Sequence, residues 1–193
     1  MTKVAVLIDG GHLRACARSN SHKYTAALVN KVVQQCVKGP AETLFRALYY
    51  DCDPFEGTVK LPIPGGATTF SGSGSLLSDL ERTELFAVRR GVLKFRGWER
   101  KPGSMGTAAP TDADFEARWE QKGVDLRIGL DIVSLTETKP ADLIVLITAD
   151  TDLIPAMKLC RGRGLQIAGV DLPGRKISND LKAHLDYYRS VSF

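Results

Sequence analysis

Four cysteines and three histidines are all that this 193-residue chain offers to a soft metal, and neither set has the spacing of a site. Cys16, Cys36, Cys52 and Cys160 are scattered with no Cys-x-x-Cys pair, so neither a zinc site nor a disulfide framework is supported. Buried free thiols are expected instead. His12, His22 and His184 are not at ligand spacing, and no Gly-x-Ser-x-Gly, Walker A or Gly-x-Gly-x-x-Gly motif follows a predicted strand. No apolar run reaches membrane-spanning length, and the stretch that begins at Met1 meets Asp9 too early for a secretory signal. A cytoplasmic location is the expectation. Neither sign of charge dominates: 26 Lys and Arg against 22 Asp and Glu leave a net +4, which permits a polyanionic partner without requiring one.

What is present is a core. A hydrophobic content of 44% supports one domain over residues 1–193, with a less regular, loop-rich region at about 57–114. Lys3–Asp9, Thr43–Tyr50, Gly91–Trp98, Asp142–Thr148 and Leu165–Val170 read as strands, with Tyr187–Phe193 as a closing strand or docked tail. Helical spacing falls at Tyr24–Lys38, Leu76–Arg90, Gln121–Leu135, the run after Leu153 and Ser178–Leu185. Pro62, Pro64, Gly65 and Gly66 punctuate a loop or arm over Gly57–Ser78, and Lys101–Asp114 reads as a second loop. Strands alternating with helices predict an α/β fold: a doubly wound, mostly parallel sheet of four to five strands flanked by helices. Gln121–Leu135 is apolar over so much of its surface that it is expected to be largely buried.

Carboxylates collect at strand ends. Asp142–Thr148 reads as a central parallel strand and is followed by Asp150 and Asp152, at a strand-to-helix junction where ligands bind in such sheets. A helix cap accounts for one of these two. Asp9 closes the first strand before Gly10 and Gly11, and Asp125 sits in the first turn of a helix, where the dipole also favours it. Asp131 is rotated by about 240° from Asp125 on a helix of 3.6 residues per turn, and is read as a capping or supporting group. Asp51 and Asp53 also lie at a strand end, but turn chemistry before Pro54 explains them. Four like charges brought together need a cation, and oxygen donors select Mg²⁺ or Mn²⁺. Arg89, Arg90, Lys94, Arg96, Arg100 and Lys101, with Phe95 and Trp98 among them, form either a platform for phosphates and bases or the solvated face of a strand.

Val4-Ala-Val-Leu-Ile-Asp9-Gly, Lys122-Gly-Val-Asp125 with Asp131, and Leu146-Ile-Thr-Ala-Asp150-Thr-Asp152-Leu-Ile-Pro155 together resemble the NYN domain, in the PIN-like nuclease group that includes the bacterial LabA-like proteins. The resemblance spans nearly the whole chain, though it fits 57–114 less well. It implies a PIN-like α/β fold and a Mg²⁺- or Mn²⁺-dependent ribonuclease cutting RNA internally. Asp9, Asp125, Asp150 and Asp152 match the family's acidic centre, with Asp150 favoured for coordination and Asp152 divided between ligand and cap. Lys122, Arg89, Arg90, Lys94 and Arg96 are then candidates to hold the RNA backbone. His12 stands where many members carry Asn; it is either a substrate contact that titrates near neutrality or a satisfied surface residue. The competing reading is a PIN-like RNA-binding or scaffold protein without turnover. A homodimer is compatible with either, and a small-molecule phosphohydrolase lacks the expected Asp-x-Asp-x-Thr after the first strand.

Overall fold

The computed structural model describes residues 1–63, 65–106 and 109–193. Pro64, one of the punctuating prolines, and Thr107 and Ala108 of the second loop lie outside the described residues. The elements run β1 (Thr2–Asp9), α1 (Gly10–Ser19), α2 (Ala26–Gln35), β2 (Glu42–Cys52), β3 (Gly57–Lys60), β4 (Ala67–Phe70), α3 (Ser75–Glu81), β5 (Phe86–Arg100), β6 (Phe115–Lys122), α4 (Val124–Thr138), β7 (Leu143–Ile147), α5 (Ile154–Gly162), β8 (Gln166–Asp171), α6 (Asn179–Lys182) and β9 (Tyr187–Ser190).

A seven-stranded sheet in the order β6-β5-β2-β1-β7-β8-β9 forms the centre. It is parallel throughout except that β6 returns antiparallel along β5. Alternation along β1 shows why both faces must be covered: Val4, Val6 and Ile8 join one core, while Ala5 and Leu7 join the other, all fully buried. On the first face, Leu13 and Cys16 of α1, Val29, Val32 and Val33 of α2, and Leu77 and Leu80 of α3 pack onto the sheet. On the second, Val124, Ile128, Ile132 and Leu135 of α4 meet Met157 and Cys160 of α5. All four cysteines are buried and free. Among the described residues no helix is long and apolar enough to cross a membrane.

Several boundaries differ from the sequence reading, each for a physical reason. The sheet has seven strands, not four or five, because β6 and β9 extend it at both edges. The Leu76–Arg90 helix stops at Glu81, and Phe86–Gly91 pairs with Ala47–Cys52, so a buried partner strand overrides helical spacing. The helix read from Gln121 begins at Val124; Gly123, at φ 78°, breaks the chain there, and the residues before it belong to β6. Gly10 and Gly11 open α1, a helix absent from the sequence reading. Part of Gly57–Ser78 is not loop: β3 and β4 form an antiparallel hairpin. The Lys101–Asp114 segment contains short 3-10 turns at Pro102–Ser104 and Asp112–Asp114. Finally, α4 is not buried all round. Leu126 is 67% and Leu130 59% exposed.

Candidate active site

The site grows from the two central strands. β1 and β7 are parallel neighbours with Ile8 opposite Ile147, so the residues that follow leave the sheet side by side. Asp9 is the last residue of β1 and also the N-cap of α1, its Oδ1 accepting from the His12 backbone N–H at 3.0 Å. Asp150 does the same after β7. Its N–H is held by Thr148 Oγ1 at 3.0 Å and its Oδ1 caps the Thr151–Leu153 3-10 turn by accepting from Asp152 N–H at 2.9 Å. The cap is therefore Asp150, not Asp152, whose residue is exposed. One oxygen on each of Asp9 and Asp150 is engaged in capping, which fixes where the other stands. Asp125 enters from the first turn of α4.

These carboxylates influence one another. Burial raises the Asp9 pKa above its ordinary 3.8, the His12 N–H pulls it back, and the negative charges of Asp51 and Asp150 push it up again. Asp125 is raised likewise by burial first, then by Asp150 and Asp9, with a smaller push from Asp152. Strand β1, helix α4 and the turn after β7 thus deliver Asp9, Asp125, Asp150 and Asp152 to one electrostatic neighbourhood. Among the described residues no three His, Cys, Asp or Glu side chains already stand in ligating geometry. The donors gathered are nevertheless all hard oxygens in mutual repulsion, a set whose chemistry fits a divalent cation of the Mg²⁺ type.

A second layer lies beneath Asp9 and escaped the sequence reading. Asp51 is not in a turn but inside β2, only 1% exposed. It accepts from Arg14, whose Nη1 bonds to Oδ2 and whose Nη2 lies 3.3 Å from Oδ1. Tyr49 Oη donates to it at 3.1 Å, Gln121 Nε2 at 3.0 Å and the Cys52 N–H at 2.8 Å. Tyr24 and Tyr49 hydroxyls pair at 2.9 Å behind it. Gln121 thereby ties β6 to the centre. The signal was available in the period of two: Ala47, Tyr49 and Asp51 fall on one face of β2, continuing the strand past Tyr50.

The remaining candidates are placed as follows. His12 is half-buried; burial first, then the nearby Arg175 charge, lower its pKa and favour the neutral ring. Asp131 accepts from Tyr50 Oη at 2.8 Å and from Arg89 Nε at 3.0 Å. Arg90 pairs with Asp53 and with Glu81 at 2.9 Å, while Arg96 and Lys122 share Glu120. Lys94 is exposed and, among the described residues, forms no ion pair. Phe95 and Trp98 are half-buried in a ring cluster. They stack with Phe55, Phe70 and Trp119, ring centroids 5.0–6.5 Å apart, cementing the β3–β4 hairpin onto the β5–β6 arm.

No curated protein matches the chain. Among solved structures it is similar to a protein of unknown function from Vibrio parahaemolyticus, with a TM-score of 0.55 and 15% identity over 98% of this chain and 93% of that one. That likeness shows the fold alone. The family model described as the NYN domain matches residues 3–192. Its members are in general nucleases of PIN-like fold, and this chain belongs to the NYN domain family.

Proposed function

We propose that the protein is a divalent-metal-dependent ribonuclease that hydrolyses RNA phosphodiesters internally and leaves a 5′-phosphate. The observation that supports this reading is the convergence of Asp9, Asp125 and Asp150 from separate elements: Asp9 is raised by burial and by the charges of Asp51 and Asp150, and Asp125 by burial and by those of Asp150 and Asp9, a repulsion that calls for a cation. Asp9, Asp125 and Asp150 would hold the Mg²⁺ or Mn²⁺ ion. When bound, such an ion compensates charge, lowers the pKa of the attacking water and stabilises the leaving oxygen.

The chain's own residues supply the rest. The capping bonds from His12 N–H and Asp152 N–H fix the orientation of Asp9 and Asp150, so their outward oxygens are pre-set before substrate arrives. Asp152, exposed beside the centre, orients the water or takes its proton. Neutral His12 donates a hydrogen bond to a phosphate oxygen without adding charge. Lys94, Lys122, Arg89, Arg90 and Arg96 contact the RNA backbone, most of them by exchanging a surface acidic partner for a phosphate; exposed ion pairs are weak enough for that exchange.

The test is cleavage of a labelled single-stranded RNA in Mn²⁺ by wild type and by Asp9→Asn and Asp150→Asn. Both substitutions keep a capping oxygen and should lower the rate at least about a hundredfold. Variants that cut as fast as wild type would sink the mechanism. Wild-type protein that binds RNA with steep salt dependence but never cuts it makes the chain an RNA-binding module.

A further inference from the structure

The exposed apolar side of α4 opens a groove that starts at the acidic centre. Leu126, Leu130 and Val133 of α4 face Pro155, Ala156 and Leu159 of α5 across about 560 Å³. Asp125 and Asp152 stand on its edge, and Asp125 is also one of the carboxylates coupled to Asp9 and Asp150. The groove and the cation-holding cluster are therefore continuous, sharing a side chain.

We infer that this groove receives the base of the nucleotide next to the scissile phosphate, turned out of the stack, so that the substrate is single-stranded where it is cut. The inference rests on the nuclease reading above. A nucleic acid has one apolar part, the faces of its bases, and a base hangs within one sugar of its phosphate. A phosphate held through a divalent cation at Asp9, Asp125 and Asp150 would bring its neighbouring base over α4, where aliphatic walls remove it from water. The volume lies in the range of pockets that take ligands of this size. The two carboxylates on the edge accept hydrogen bonds and donate none, so they favour bases presenting an amino or imino N–H there. A paired and stacked base cannot enter without being extruded. A protein partner fits this groove poorly, because docking over its edge would bury Asp125 and Asp152 with nothing to compensate them.

The experiment uses full-length protein carrying Asp150→Asn, whose slowed cleavage leaves time to read binding, and a fluorescein-labelled single-stranded oligoribonucleotide followed by anisotropy. Adding Leu126→Ala with Leu130→Ala should weaken binding about tenfold, equivalent to about 1.4 kcal/mol. These residues are exposed, so Tm should be unchanged. An abasic ribose at one position of the RNA should cause the same loss, and the two losses should not add. In the active protein the same leucine changes should raise KM more than they lower kcat, and duplex RNA should be cut at least about tenfold more slowly than single strands. Leucine variants that bind and cut like wild type, while wild type cuts RNA normally, overturn the groove and leave the nuclease reading standing. Wild type that neither binds nor cuts RNA overturns both. A concentration-dependent wild-type dimer that Leu126→Asp converts to monomers in sedimentation would make the groove a protein interface and also overturn the inference.

Discussion

Asp9 carries two duties that pull in opposite directions. As the N-cap of α1 it stabilises a helix, but as a carboxylate beside Asp51 and Asp150 it is held in a field that resists its ionisation. A carboxyl whose folded pKa lies above its unfolded value binds protons more tightly when folded, so its effect on stability is most favourable below about 3.8 and worsens as pH rises through the raised value. Asp125 acts in the same sense. In metal-free buffer at pH 7.5, Asp9→Asn should therefore melt about 2–4 °C higher than wild type, a gain that disappears near pH 4. Mn²⁺ should raise the Tm of wild type and not that of the variant; thermal melts with and without EDTA at the two pH values decide the matter. Asp9 and Asp150 were legible in the sequence because apolar strands end in them. Asp51 was misread, because an Asp three residues before Pro54 reads equally well as a turn residue as it does as the next step in the Ala47, Tyr49 alternation, and its burial among Arg14, Tyr49 and Gln121 decides between the two.

At the scale of elements, the junction of β1 with α1 is the tightest point. A Cβ on Gly10 would stand 2.5 Å from Tyr49 Oη and 2.8 Å from Asp51 Oδ2, so the helix can begin this close to β2 only with glycine. Gly10→Ala should cost about 1–3 kcal/mol in urea unfolding and should depress nuclease activity further than stability alone explains, since Asp9 moves with the helix start. The helix itself was missed because two glycines open it and only Leu13, Cys16 and Ala17, with Gly10, are buried along it. Strand β6 was missed for the opposite reason, although Gly91–Trp98 of its partner β5 was read as a strand. Phe115–Lys122 alternates correctly, but it runs into the stronger helical pattern of α4 with a single Gly123 between. Binary pattern locates long elements well and short joints poorly.

For the whole molecule, the order β2-β1-β7 places β1 where the winding of the sheet reverses direction, and it is at that crevice that the carboxylates meet. The mostly parallel sheet flanked by helices followed from the sequence; the strand order did not. Nor did the tertiary ties that close the ends. Arg189 of β9 is 6% exposed, pairs with both Glu42 oxygens at 2.7 and 2.8 Å, and bonds the Cys36 carbonyl, joining the last strand to the first crossover. Burial alone would raise Glu42, but Arg189 and the Lys38 N–H outweigh it and hold its pKa below 4.5. The pair's contribution is complete above that value and is lost as pH falls through the lowered one. Arg189→Ala should cost about 3 kcal/mol at pH 7 and less in acid, read from urea midpoints at pH 7 and pH 3.

The ring cluster on the arm also decides what light reports. The chain has two tryptophans, Trp98 and Trp119, and both stand in the cluster that joins the β3–β4 hairpin to β5 and β6, outside the two cores that flank the main sheet. Intrinsic tryptophan emission is thus a gauge of the arm's attachment, while circular dichroism follows the wound sheet. Any departure between the two signals measures how far this appendage, which reaches the acidic centre through Gln121, detaches on its own.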